Sequence, residues 1–378
     1  MIPEKVTQEK APLTYCSNIH PGESWADVMH NLNTHLLEVK NRLGDSAQRP
    51  FPLGLRLADQ ASRELDQKAI AEFRQWCQQN SAYLLTINGF PYGAFHGQKV
   101  KERVYLPDWR DPERVAYSER LGSLAVELQP DAQTLSISTL PIAFKAGFAE
   151  SDWPTVFDHI QTVLAHYANL YQNTGVKVIL ALEPEPGCVL ETTAELVALF
   201  NRLRPRLSLQ QNAHLGLCLD ACHQAVEFEQ PQECLQQLAE AEIPIAKVQV
   251  SSALSASGAD EIQRLLAFDE PVYLHQTLAR TDEGRRAFTD LPAFKQALEQ
   301  GLSVTECRTH FHVPIFLDHL GDCGTTQGFL RELLPLLDPS IPLEVETYSF
   351  GVLPVHLRTQ AVGESVAREL SWAMSLLE

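Results

Sequence analysis

Residues 176–223, VKVILALEPEPGCVLETTAELVALFNRLRPRLSLQQNAHLGLCLDACH, contain a complete strand–helix–strand unit. Val176–Leu182 and Leu215–Asp220 are short apolar runs, the composition of strands covered on both faces of a parallel sheet. The residues between them, 191–204, carry helical periodicity. Each run stops at an acid, Glu183 in the first case and Asp220 in the second.

The same alternation extends in both directions. Six further strands are predicted at Leu13–Ser17, Leu53–Ala58, Tyr83–Asn88, Thr134–Thr139, Ile245–Val250 and Leu343–Tyr348, which makes eight. Helical stretches separate them. The first is lined by Trp25, Val28, Leu32, Leu36, Val39 and Leu43 and opened by Ser24 with Asp27 three residues on, a capping-box arrangement. Another opens with Asp111-Pro112-Glu113, a cap, a first-turn proline and an early acid. Further helices are expected near 64–79, 152–173, 229–241, 290–300 and 326–337, with 363–377 closing the fold. Eight repeats of strand and helix favour a closed (β/α)8 TIM barrel over a doubly wound open sheet, and no Gly-x-Gly-x-x-Gly turn follows any early strand.

Two stretches are too long for barrel connections. Gly89–Asp111 is rich in glycine, proline and aromatic residues. Ser251–Gly328, between strands seven and eight, contains two more strand-like pieces, Val272–Ala279 and Arg308–Phe316, and is expected to lie over the carboxyl mouth as a lid. With no linker or repeat, residues 1–378 form one predicted domain, 251–328 being its insert.

The 378 residues are 44% hydrophobic and carry 48 acids against 30 bases, a net charge of −18. That field opposes nucleic-acid binding, which needs a positive footprint. No apolar run approaches the ~20 residues of a bilayer span, and the opening MIPEKVTQEKAP lacks the apolar core of a secretory signal. Eight dispersed cysteines without a C-x-x-C pair read as reduced thiols, which predicts a cytoplasmic protein.

The chemistry gathers at the ends of the last four strands. Glu183 and Glu185 follow strand five, Asp220 and His223 strand six, Gln249 and Ser251 strand seven, and Glu344 and Glu346 strand eight. Residues at strand carboxyl ends face one mouth, so these carboxylates converge, and a divalent cation (Mg²⁺, Mn²⁺, Co²⁺ or Zn²⁺) would relieve their repulsion. Taken singly, each has a plainer reading. A lone Glu serves as a salt-bridge partner, and Asp220 with His223 serves as a helix cap. Glu344 and Glu346 share a face, and Glu346 lies nearer the mouth. Lys247 is left out of the site as facing away. Cys218 and Cys222 read as buried apolar thiols.

Glu183, the Asp220-x-x-His223 run and Glu346 resemble the xylose isomerase-like superfamily of sugar isomerases and epimerases, which shares its barrel with endonuclease IV-type enzymes. The resemblance implies Glu183, Asp220 and Glu346 as metal ligands and His223 as a substrate contact. It also implies a fourth ligand, the second histidine of a His-x-His run on strand seven. Strand seven here offers Gln249, and the matching run, His310-Phe311-His312, lies some sixty residues later. Either RTHFHVPIF is strand seven or it is a lid strand carrying His312 over the mouth; Gln249 and His312 both stay as candidates. The chain as a whole is similar to a narrower group, the metabolite traffic protein EboE of bacterial secondary-metabolite clusters. The carrying segments are LTYCSNIHPGESW (13–25), TINGFPYGAFHG (86–97), ALEPEPGC (181–188), KVQVSSAL (247–254), THFHVPIF (309–316) and LEVETYSFGVLP (343–354).

The implied chemistry is isomerisation or epimerisation of a hydroxy-carbonyl metabolite, with Glu183, Glu185 and Glu346 as candidate catalytic carboxylates. His20, Asn88, His275 and His310 join His223 as candidate substrate contacts, although His20 also reads as a structural loop histidine and Asn88-Gly89 as a turn. Two rivals stand beside this reading: an endonuclease IV-like phosphodiesterase, which the other histidines would serve, and a non-catalytic metabolite-binding barrel. A homodimer is the base-rate expectation for such a barrel.

Overall fold

A computed structural model describes residues 11–358 and 360–377; the first ten residues, which the leader reading concerns, lie outside it. Seven strands come first: β1 Leu13–Tyr15, β2 Phe51–Arg56, β3 Ala82–Asn88, β4 Thr134–Thr139, β5 Lys177–Leu182, β6 Leu215–Asp220 and β7 Ile245–Val250. The 251–328 segment adds β8 Leu254–Ser257, β9 Thr277–Thr281, β10 Gly284–Phe288, β11 Glu306–Thr309, β12 His319–Leu320 and β13 Cys323–Thr325, and β14 Leu343–Val345 follows.

The eight strands read from the sequence make one parallel sheet in the order β1-β14-β7-β6-β5-β4-β3-β2. Leu13 pairs with Leu343, and Leu343 in turn with Val248. The remaining seam, β1 to β2, is closed by a parallel bridge from Cys16 to Gly54 and by the Thr14 hydroxyl, which donates to Pro52 O at 2.7 Å. The ring is therefore a (β/α)8 barrel.

Alternation along the strands decides what faces the mouth. Val178, Leu180, Leu182, Leu217, Leu219, Val248 and Val250 point outward into the main core beneath the helices. Ile179, Ala181 and Cys218 point inside the ring and cluster with Ala246, which the register shift between β6 and β7 leaves unpaired and out of the alternation. Glu183 and Asp220 continue that inner parity. So do Lys247 and Gln249: residues two apart share a face, and the exclusion of Lys247 is corrected here. The Lys247 ammonium forms a fully buried ion pair with Glu344 inside the barrel. Gly54 makes room for that pair, since a Cβ there would sit 2.0 Å from Glu344 Oε1 and 2.7 Å from Tyr15 O.

The helix signals hold locally. Ser24 Oγ accepts from Asp27 N at 3.1 Å and Asp27 Oδ2 accepts from Ser24 N at 3.0 Å. Asp111 caps Pro112–Leu128 through Glu113 N at 2.9 Å. Each cap satisfies an amide that the helix itself leaves open.

Within the insert, six strands form an antiparallel sheet ordered β10-β9-β11-β8-β13-β12. Helices Gly258–Leu265 and Leu291–Glu299 contribute to a second core with Leu254, Phe268, Ala279, Phe294 and Phe311. KVQVSS is strand seven, so RTHFHVPIF belongs to the insert. Its strand stops at Thr309 rather than at Phe316, and the other expected piece is shifted from Val272–Ala279 to Thr277–Thr281. The residues left outside the strands include Tyr273, Leu274 and His310, which line the cleft at the barrel mouth.

Candidate metal centre

Glu183, Asp220 and Glu346 place carboxylate oxygens within 4.8 Å of one another, and all three residues are buried. Glu346 Oε1 accepts from Asn18 Nδ2 at 2.6 Å and from Asn88 Nδ2 at 3.0 Å. Asp220 Oδ1 accepts from His223 N at 2.9 Å and from Ser251 Oγ at 2.8 Å. The aspartate thus caps the short helix Ala221–Val226, as the plainer reading has it. Its other oxygen, Oδ2, is buried without a partner, as are Glu183 Oε2 and both amide atoms of Gln249. The β-register sets Gln249 beside both Asp220 and Glu344.

Unpartnered buried carboxylate oxygens are costly. Burial, followed by repulsion from Glu346 and Asp220, drives the Glu183 carboxyl well above its ordinary range. Burial and repulsion from Asp220 and Glu344 do the same to Glu346. Below them lies the Lys247 ammonium. Burial opposes its charge, yet Glu344, the neighbouring thiols and Glu183 hold it above the usual lysine range. Four carboxylates against one ammonium leave a surplus of negative charge that a divalent cation would neutralise.

Three imidazoles adjoin the carboxylates. His223 Nδ1 donates to Pro184 O at 2.8 Å, His312 Nδ1 to Glu346 O at 2.7 Å, and His310 Nδ1 to Gln276 Oε1 at 3.0 Å. With each Nδ1 committed as a donor, each Nε2 presents a lone pair. Those nitrogens converge: His310 Nε2 is 3.2 Å from His223 Nε2 and 3.2 Å from His312 Nε2. Ligand nitrogens around a tetrahedral cation with ~2.05 Å bonds stand about 3.3 Å apart, so the spacing suits a shared ion. Burial with the neighbouring histidines holds His310 well below its ordinary range, and burial above all takes His312 down to about 4. Asp220, His223 and His312 also form a group of their own, which joins the carboxylate and imidazole sets. Cys222 lies against His310 and His312, and burial pushes its thiol well up.

Glu185 does turn into the mouth. Its Oε1 accepts from Tyr105 OH at 2.6 Å and Gln276 Nε2 at 3.3 Å, and lies 3.5 Å from His310 Nδ1. Burial raises its carboxyl, while His223 and Tyr105 oppose the rise. Two expected substrate contacts sit elsewhere. His20 bonds Tyr15 OH at 3.1 Å and stacks on His35 at 4.2 Å, turned away from the mouth. His275 is fully buried, bonded to Glu270 and to His310 O, with its ring against Phe311. It braces the His310 segment and does not face the cleft. Asn18, Tyr105, Gln276 and Tyr348 belong to the site and were not anticipated. Asn18 alone had a sequence signal, as the polar residue just past strand one.

No family model matches this chain, and no curated protein does. Among solved structures it is similar to a xylose isomerase-like TIM barrel protein from Mycobacterium smegmatis in complex with magnesium, with a TM-score of 0.55 and 11% identity over 97% of this chain and 96% of that one. It is also similar to a xylose isomerase domain protein from Planctomyces limnophilus, with a TM-score of 0.53 and 15% identity over 98% and 97%. The chain has the xylose isomerase-like TIM barrel fold. At these identities the likeness is one of fold. Among the described residues no helix is long and apolar enough to cross a membrane.

Proposed function

We propose that this protein is a metal-dependent isomerase or epimerase of a small hydroxy-carbonyl metabolite. Glu183, Asp220 and Glu346 would hold a divalent cation, with His312 and Gln249 completing its shell. The observation that carries the reading is the pair of buried, unpartnered oxygens, Glu183 Oε2 and Asp220 Oδ2, within one carboxylate cluster. When bound, the cation supplies Lewis acidity toward a carbonyl oxygen and its neighbouring hydroxyl. Asn18 and Asn88 fix the orientation of the Glu346 carboxylate. Glu183 and Glu346 lie on the floor of a cleft whose wall carries Glu185, so one carboxylate can remove an α-proton and another group return it across the cleft. His223 and His310 line the same cleft and are placed to bind substrate oxygens.

Metal analysis of purified protein tests this. Near-stoichiometric divalent metal in the wild type, lost in Asp220→Ala with the fold retained by circular dichroism, is the expected result. A wild type that takes up no divalent ion after dialysis against Mn²⁺ or Zn²⁺ refutes it.

The converging imidazoles favour a second reading, a metal-dependent phosphodiesterase, which hydrolysis of bis(p-nitrophenyl) phosphate by zinc-loaded protein would reveal. A net charge of −18 weighs against a nucleic-acid substrate for it. A barrel that binds ligand without metal would instead be a metabolite carrier. The six segments similar to the EboE group support a role in bacterial secondary metabolism or metabolite traffic. Eight free, buried cysteines support a cytoplasmic setting. Assembly as a homodimer belongs to the same proposal.

A further inference from the structure

We propose that residues 97–104 are a hinged strap that must lift to admit a ligand, and that the structure holds it latched. The proposal rests on the cleft being the ligand site, as read above, and not on the cation. Of the seventeen residues that line the cleft, all but Val104 and Tyr348 are buried. The free space over the floor is about 50 Å³, room for about four water molecules and too little for even a triose. Some part of the cover therefore moves.

Two segments make the cover, and they are fastened differently. The insert side, residues 270–276, is tied within itself and to its surroundings. The Glu270 carboxylate accepts from Val272 N at 2.8 Å and from Tyr273 N at 2.7 Å. Asp290 Oδ1 accepts from His275 N at 3.0 Å, and Gln276 Nε2 donates to Pro186 O at 2.8 Å.

The strap is anchored at its two ends. Before it, Phe95 N donates to Glu23 Oε1 at 3.1 Å and His96 Nε2 to Asn18 O at 2.6 Å. After it, Tyr105 OH donates to Glu185 Oε1. Between these anchors Val100, Lys101 and Val104 cover the cleft, and the bonds that hold them converge on the insert. Val100 N and Lys101 N donate to Val272 O at 2.8 and 3.0 Å. The Lys101 ammonium donates to Asp290 Oδ2 at 2.7 Å and to Glu270 O at 3.2 Å. The other side of the strap is hollow, with about 310 Å³ of free space bounded by Pro91, Gly93, Gln98, Lys99, Arg103 and Leu106. Gly97, at φ +73°, gives the strap a hinge that other residues would strain. Lys101 is held at φ +42°, a conformation that lysine rarely takes and that these bonds must maintain. Releasing the contacts of Lys101 and Val100 therefore frees the strap, while the insert keeps its own core.

Hydrogen exchange and histidine modification of chelator-treated protein test this without a cation. In the wild type, the Val100 and Lys101 amides are expected to exchange at least about tenfold faster than the ladder amides of β11, because lifting the strap costs less than unfolding the insert. Diethyl pyrocarbonate should modify His223 and His310, which line the cleft, and spare His275, which is buried in the insert. Lys101→Met removes the ammonium that grips Asp290 and should speed both the Val100 exchange and the modification of His223 and His310 about tenfold; Lys101→Gln gives a second variant if the first does not fold. A protein that opens in this way but takes up no divalent ion supports the strap and fails the metal reading alone. Val100 and Lys101 amides as slow as those of β11, cleft histidines modified no faster in a folded Lys101 variant than in the wild type, or His275 modified in step with His223 and His310, each overturns the proposal.

Discussion

Replacing Lys247 by methionine is the sharpest test of how the barrel floor is held together. Lys247 and Glu344 have fully buried side chains; the ammonium pairs with Glu344 Oε2, and Oε1 has no hydrogen-bond partner. Methionine fills much of the same volume but leaves a carboxylate in the ring with nothing to balance it. Breaking a buried pair in this way costs about 3–5 kcal/mol, whereas replacing both members with apolar groups is close to neutral. The surrounding acids enlarge the effect, since Lys247 also lies near Glu183. Urea unfolding at pH 7, with chelator present so that no cation compensates, should be followed for the wild type, Lys247→Met, Glu344→Leu and the double variant. We expect Lys247→Met to lose about 3 kcal/mol or more and the double variant to recover at least half of that. A single-variant loss below about 1 kcal/mol, or a double-variant loss equal to the sum of the two singles, would show that the pair is not coupled and that the charge accounting is wrong.

Other perturbations follow from the same geometry. Burial raises the Glu369 carboxyl from 4.5 to about 7 against the pull of Thr347 and Ile315 N. The folded state therefore keeps a proton that the unfolded chain has lost: this contribution is fully present below pH 4.5 and disappears as pH rises through about 7. Glu369→Gln should accordingly gain up to about 3 kcal/mol at pH 8 and nothing near pH 4.5, and equal shifts in melting temperature at both pH values would contradict it. Asp220→Ala should abolish zinc and manganese uptake together because Asp220 touches both ligand sets, while His310→Ala should reduce zinc uptake more than manganese; mass spectrometry of the dialysed proteins measures both, and a reversed preference would separate Asp220 from the imidazoles. Gly54→Ala drives a Cβ into Glu344 and Tyr15 O and should destabilise by about 3 kcal/mol, read as a lowered melting temperature; an unchanged one would mean that the β1–β2 seam is not tight.

The barrel was legible because its strands are apolar on the face that meets the helices, and this survives without knowledge of neighbours. The insert was not. β10 reads GRRAF and is exposed along most of its length, so nothing in its residues separates it from a loop. His310 and His312 share a face in any extended run, which made their common direction predictable, and Phe311 does pack the other way into the second core. Where that run would leave its sheet depended on Gln276, which takes His310 N at 2.8 Å and Nδ1 at 3.0 Å from thirty-four residues away. Lys247 differs for another reason: the expectation that it faces away misassigns the alternation of strand seven, in which it turns inward with Gln249 and meets Glu344. Tyr105 comes from a connection whose path has no periodicity to read, and Tyr348, expected as the last residue of strand eight, lies beyond the end of β14 at Val345.

The Asn18–Glu346 hydrogen bond spans 328 residues of chain, and this bears on how the protein is made. A growing chain can pair β2 through β7 in order, but it cannot close the ring until β14 has emerged and inserted between β7 and β1. Until then two strand edges stand open, each able to pair with another molecule, and contacts this distant form slowly. Glu346, its two asparagine partners and the His312 contact to its carbonyl all come into being in that final step. A chain stalled before residue 343 would have most of its secondary structure yet only part of the ligand set, so metal uptake during refolding should lag far-ultraviolet circular dichroism and report closure of the ring.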